Sequence, residues 1–147
     1  MPDKSKEVFT DLKLVSDRLN FMGYTDYDQP ISVDYIPPLG DNKGYTSLEL
    51  FLLSLSSCLG TSVLTLLRRM KKTVTSFEVK TVGYRREEHP TGFRNIRINI
   101  YLKSPDVSAD EIDKAVKLSE DTYCPVWSMI KGNTEVEVVY EIENPHL

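Results

Sequence analysis

The sequence predicts a single domain of mixed helices and strands, and three observations predict it. The chain has 147 residues, an ordinary domain size that can bury a core without disulfide or metal staples. One apolar run, from Ser47 past Cys58 to Leu67, is far too long for a strand and reads as a helix. On both sides of it lie shorter segments with the two-residue alternation of strands, clearest at 94–103, where Ile96, Ile98, Ile100 and Leu102 share one face and Asn95, Arg97, Asn99 and Tyr101 the other.

Taken in order, 9–15, 19–22 and 31–36 are apolar or mixed runs separated by turn residues, and they read as short strands. Pro37-Pro38-Leu39-Gly40-Asp41-Asn42-Lys43-Gly44 is a loop, because its prolines and glycines interrupt both regular structures. A helix starts at Thr46 or Ser47 and runs to about residue 72. Thr46 and Glu49 have the spacing of a capping box, and Arg68, Arg69, Lys71 and Lys72 supply cations at the other end. At roughly 25 residues it is ~38 Å long. Its middle is apolar almost all round, which calls for burial on every side. A membrane span is the competing reading, opposed by Glu49, Gly60 and the hydroxyls of Ser54, Ser56, Ser57, Thr61, Ser62 and Thr65. A chain this short covers such a helix most easily with a second copy of itself, so an obligate homodimer is expected.

Residues 74–87 read as a long strand, and Glu88-His89-Pro90-Thr91-Gly92 as the hairpin loop to 94–103. Ser108 and Glu111 form a second capping box, opening a helix with Ile112, Ala115, Val116 and Leu118 inward. A break is expected near Tyr123. A short helix at 125–131 follows, with Pro125 in its first turn and Gly132 as its stop. Val136, Val138, Tyr140 and Ile142 then alternate as a closing strand. The single domain thus consists of strands and loop at 1–45, a central helix at 46–72, and a mixed segment at 73–142.

A net charge of −4 argues against nucleic acid as a partner. The opening residues contain no apolar signal core, so a cytoplasmic protein is expected. Two cysteines and two histidines, His89 and His146, lack the spacing of a metal site, and no metal or other cofactor is expected. Neither histidine is placed to pair with a cysteine.

The cysteines carry the chemistry. Cys58 falls in the middle of the long helix, and Cys124 at the start of the short one, where unpaired N–H groups favour a thiolate. In a reducing cytosol a cysteine pair points to redox chemistry rather than to a structural bridge. Ser54, Ser57, Thr61 and Ser62 can bring hydroxyls near the Cys58 sulfur. The plainer alternative for Cys58 is a small buried apolar residue. For Glu49 the plain role is the cap, since nine residues set it ~13 Å from Cys58 along the helix. A share in the Cys58 site would bring Glu49 from a partner subunit. Arg18 is by default a charge at a strand edge. Its functional role would be an ion pair with a Cys58 thiolate. Trp127 and Tyr123 flank Cys124 and pack the short helix.

The order of elements resembles the OsmC/Ohr superfamily of hydroperoxide-reducing thiol proteins and their relatives. The resemblance rests on Gly44-Tyr45-Thr46-Ser47-Leu48-Glu49-Leu50 leading to Cys58, on the strand 96–102 after Glu88-His89-Pro90, and on Tyr123-Cys124-Pro125-Val126 leading to Lys131-Gly132-Asn133. It spans about 12–142. It implies an α+β fold made as an intertwined homodimer, with two long central helices crossed and the β-sheets packed around them. It also implies a peroxide-reactive Cys58, a resolving Cys124, an organic hydroperoxide substrate and a dithiol reductant. Where the best-understood reductases carry a glutamate ten residues before the reactive cysteine, this chain has Leu48, with Glu49 beside it. Arg18 is the one counterpart of the family's N-terminal arginine. The alternative function is a non-catalytic dimer that binds a small hydrophobic ligand or accompanies stress.

Overall fold

Runs interrupted by Asp, Asn, Gly and Pro make short strands. The computed structural model, which describes residues 3–26 and 29–145, has three of them ahead of the long helix. β1 (Asp11–Leu14), β2 (Phe21–Tyr24) and β3 (Ile31–Val33) form an antiparallel sheet in that order. β2 starts later than the run 19–22 because Asn20 belongs to the turn: its carbonyl accepts from Val15 N–H at 2.9 Å. Its side-chain amide donates to Ser32 Oγ at 2.8 Å and to the Val33 carbonyl at 3.1 Å. The chain divides into two compact units, Met1–Leu50 and Phe51–Leu147. His146 lies outside the described residues.

In the first unit the loop after β3 is organised by Asp34, which is fully buried. Its carboxylate accepts from the backbone N–H groups of Tyr35 at 2.7 Å, Lys43 at 3.1 Å and Asp41 at 3.3 Å. Gly40 is required beside it, because a Cβ there would stand 2.3 Å from Asp34 Oδ1. Little else in this unit is covered: Val8, Phe9, Leu12, Leu14 and Val15 are each more than half exposed.

α1 (Ser47–Arg69) begins at the expected capping box. Glu49 Oε1 accepts from Thr46 N–H at 2.9 Å, and Thr46 Oγ1 accepts from Glu49 N–H at 3.3 Å. Leu55, Leu59, Val63, Leu66 and Leu67 make its buried stripe. The opposite stripe is open in this chain, with Leu53 52% exposed and Ser57 and Thr61 exposed beside it. A helix apolar on every side is therefore covered on one side only. By length and composition alone it could also cross a bilayer.

β4 (Ser76–Arg85), β5 (Phe93–Lys103) and β6 (Glu135–Glu143) form the second sheet, in that order. β4 and β5 are an antiparallel hairpin, and β5 and β6 run parallel. Parallel pairing needs a crossover. It is supplied by α2 (Ala109–Leu118), a π-helical turn (Ser119–Tyr123) and α3 (Pro125–Ile130). The inward face of β5, with Ile96, Ile98, Ile100 and Leu102, is fully or almost fully buried. α1 lies over this face: Ser56 Oγ meets Thr81 Oγ1 of β4 at 2.5 Å, and Gly60 faces Phe77 and Val79. α2 opens at the expected capping box and buries Ile112 and Ala115. Tyr140 of β6 donates to Asp113 of α2 at 2.8 Å.

One irregularity breaks the hairpin. Pairing steps from Tyr84↔Asn95 to Arg85↔Phe93, so Arg94 is an extra, unpaired residue. The bulge lets Phe93 turn inward over Gly83, where a Cβ would meet its ring at 2.3 Å, and against Phe51 at a ring separation of 6.0 Å.

Candidate functional site

Cys58 sits on α1 between two buried leucines, Leu55 and Leu59, and is itself half-buried. Cys124 precedes α3 and is 2% exposed. Two elements far apart in sequence bring the two side chains together. The free thiols lie 3.0 Å apart, with Cys124 Sγ–H directed at Cys58 Sγ. That is inside van der Waals contact and outside the ~2.05 Å of a covalent S–S bond.

The backbone around Cys124 is fixed by the π-helical turn that replaces the expected break. Cys124 N–H donates to the Ser119 carbonyl at 2.8 Å, and Ser119, fully buried, donates its hydroxyl to the Ala115 carbonyl at 2.8 Å. Lys131, just past α3, reaches Glu120 at 3.4 Å and Asp121 at 3.6 Å. Ser119, Glu120, Asp121 and Lys131 thus hold the Cys124 segment, and sequence reasoning missed all four. Their one signal was an acidic pair set ten or eleven residues before a lysine.

The thiol chemistry differs from expectation at Cys124. The N–H groups of Trp127 and Val126 do point at its sulfur and pull its pKa down, as a helix start should. Burial acts more strongly in the other direction, and the Cys58 thiol adds to the rise, so the pKa is pushed up to about 11. Cys124 is therefore a protonated donor at neutral pH, not an activated thiolate. Two of the four hydroxyls expected near Cys58 are engaged with backbone instead: Ser62 donates to the Cys58 carbonyl at 3.0 Å, and Ser57 to the Ser54 carbonyl at 3.2 Å. Trp127 packs inside at 5% exposure, whereas Tyr123 stays 48% exposed.

The two remaining candidates make their contacts within the first unit. Arg18 Nη1 forms an ion pair with Asp41 at 2.8 Å, and Nη2 donates to the Pro38 carbonyl. Glu49 serves the cap, and its hydrogen bonds with Thr46 hold its carboxyl below the usual range. His89 lies in the loop between β4 and β5.

A half-buried helical thiol touched by a buried thiol from a crossover turn, on a mixed α+β fold with two three-stranded sheets, defines a protein with a close dithiol pair. Residues 40–139 match the family described as OsmC-like protein, and the chain belongs to that family. The protein YhfA of Escherichia coli K12 is 28% identical over 124 residues, covering 84% of this chain and 90% of YhfA. A hypothetical protein from Aquifex aeolicus VF5 superposes with a TM-score of 0.82 at 29% identity, covering 94% of this chain and 97% of that one. An organic hydroperoxide resistance protein from Elizabethkingia anophelis, solved with thiocyanate bound, gives a TM-score of 0.64 at 20% identity, covering 94% and 96%. The α+β architecture expected from the sequence is that of these structures.

Proposed function

We propose that the chain is a cytoplasmic thiol peroxidase that reduces organic hydroperoxides, a redox role that its OsmC-like membership supports. The observation that carries this reading is the 3.0 Å contact between two free thiols. Cys58 attacks because Cys124, with a pKa near 11, keeps its proton at neutral pH. The Cys58 thiolate takes the distal peroxide oxygen. The O–O bond breaks, the alkoxide takes a proton and leaves as alcohol, and Cys58 becomes a sulfenic acid. The Cys124 sulfur then attacks the sulfenic sulfur, forming the disulfide and releasing water. A dithiol donor returns both thiols and is oxidised to its own disulfide. Little motion is required, since the sulfurs must close by about 1 Å to reach bonding distance.

In this reading both units form one OsmC-like domain, and two chains make an intertwined homodimer with their α1 helices crossed. The support lies on α1: Leu53, Ser57, Gly60, Thr61 and Leu64 border an open groove of about 370 Å³ whose floor is Phe77 and Val79. Small residues at helical spacing let a second helix approach closely. The dimer also gives Arg18 and Glu49 their proposed site roles, contributed towards a thiol of the partner. A non-catalytic dimer that binds a small hydrophobic ligand is the second reading, favoured by Leu48 at the place of the family's glutamate.

Thiol titration separates the two. Reduced protein given one equivalent of cumene hydroperoxide should lose both thiols within seconds, and Cys58→Ser should lose none. Cys124→Ser should turn over once to a Cys58 sulfenic acid and, given a second equivalent of hydroperoxide, accumulate sulfinic acid there. Retention of both thiols in the wild-type chain for many minutes would leave the ligand-binding dimer.

A further inference from the structure

We infer that the thiol that reduces this chain bonds to Cys58 and not to Cys124, so that Cys58 is the cysteine at which a reductant becomes covalently attached. This rests on the disulfide cycle proposed above, in which a dithiol donor opens the Cys58–Cys124 bond. Either sulfur of a disulfide can take the incoming thiolate, and access and leaving group decide which. Access differs between the two. Cys124 is 2% exposed, and the groups that hold it are closed as well: Ser119, whose carbonyl accepts from the Cys124 N–H, is fully buried, and Trp127 is 5% exposed. Cys58 is half-buried, at the border of the buried stripe of α1. Ser54 and Thr61, its neighbours one turn away on the helix surface, are exposed. Closing the 3.0 Å contact to a disulfide needs a shift of only about 1 Å, so each sulfur keeps this exposure when oxidised.

The leaving groups pull the other way. Attack on Cys58 expels Cys124, and a thiol whose pKa is pushed up to about 11 leaves slowly. The N–H groups of Val126 and Trp127 point at the departing sulfur and stabilise the charge it gains. A slow leaving group lowers a rate, whereas a buried sulfur is inert to a thiol that cannot reach it, so access decides. The donor's thiolate bonds to Cys58 Sγ, the Cys58–Cys124 bond breaks, and the Cys124 sulfur takes a proton from water. The donor's second thiolate then attacks the donor sulfur held on Cys58, which closes the donor's own disulfide and releases Cys58 as a thiolate.

Glutathione tells the two sulfurs apart, because a monothiol cannot close its own ring and its adduct can be trapped. Wild-type protein is oxidised with diamide, which needs no hydroperoxide, and closure is followed as the loss of both thiols of the chain. Glutathione is added, the mixture is quenched in acid at increasing times, and the adduct is located by peptide mass spectrometry. Glutathionylated Cys58 should appear first and exceed glutathionylated Cys124 by about tenfold or more. An adduct on Cys124 at comparable or greater yield overturns the inference. So does a disulfide that opens with no adduct on Cys58 at any time, or one that diamide cannot close. Failure of the peroxidase reading is a different result, seen only with cumene hydroperoxide. A chain that ignores the peroxide and still takes glutathione at Cys58 loses that reading and keeps this inference.

Discussion

The sheet β4–β6 buries Ile96, Ile98 and Ile100 completely, while the sheet β1–β3 leaves Leu12, Leu14 and Ile31 in the open. Both sheets have three strands, and both carry apolar residues at alternate positions. What differs is cover, since α1 and α2 contact the second sheet within its own unit. Apolar surface stabilises only when something removes it from water, and ordering a bare strand costs conformational entropy with little return. The open stripe of α1 presents the same problem inside the otherwise well-packed unit. In the proposed dimer a second chain covers both, so the bare sheet and the bare stripe should respond to perturbation together.

The harshest way to break this contrast is a charge on the open stripe. In the chain by itself Leu53 is 52% exposed, and Leu53→Asp would be mild. Between two crossed helices the same carboxylate would lose its water without gaining a partner, which costs several kcal/mol. Sedimentation equilibrium at micromolar concentration should show a wild-type dimer and a variant that is dissociated and largely unfolded. A Leu53→Asp protein that assembles and melts like the wild type would remove the crossed helices from the reading.

A smaller effect compares the two sheets directly. Ile98→Ala empties a site that is covered within its own chain, and should lower urea stability by about 2–5 kcal/mol. Leu14→Ala, on a strand exposed along its length, would stay within about ±0.5 kcal/mol if β1 faced only water. Cover by a partner should raise that cost above the surface range and make it depend on protein concentration. A negligible, concentration-independent cost for Leu14→Ala would show that β1 needs no partner.

What the sequence disclosed and what it withheld follow the same division between local and distant physics. Both capping boxes, Thr46/Glu49 and Ser108/Glu111, form as expected because a cap involves residues three apart. The alternation at 94–103 places Ile96 to Leu102 inward for the same reason. Cys124 was mistaken in sign: its helix start is readable from Pro125, but the burial that overrides it comes from the tertiary packing that also sets Cys58 beside it. Arg94 lies in a run that reads as regular strand, and nothing periodic announces the slip that frees it. Arg18 gave no hint of Asp41, 23 residues on.

The smallest effect tests how the first unit, with so little core, holds its loop. Burial of Asp34 tends to raise its carboxyl, but the N–H groups of Tyr35, Lys43 and Asp41, aided by the Arg18 charge, outweigh this and hold it below the ordinary value. A carboxyl depressed on folding stabilises the folded state above its unfolded pKa, near 3.8, and that contribution fades as pH falls through the lower folded value. Asp34→Asn keeps the shape but cannot accept through its amide nitrogen, so the loop at 34–45 loses part of its anchor at every pH. The variant should be less stable at pH 7, and its urea midpoint should drop less than that of the wild type between pH 5 and pH 2. Glu111, held low chiefly by its hydrogen bond from Lys72, lies in the second unit and should titrate alike in both proteins. Amide exchange at Asp41 and Lys43 locates the change: it should speed up in Asp34→Asn near neutrality while the amides of β5 keep their protection. Equal acid sensitivity in the two proteins, with unchanged loop exchange, would mean that Asp34 does not hold the loop and that the first unit is ordered by its cover alone.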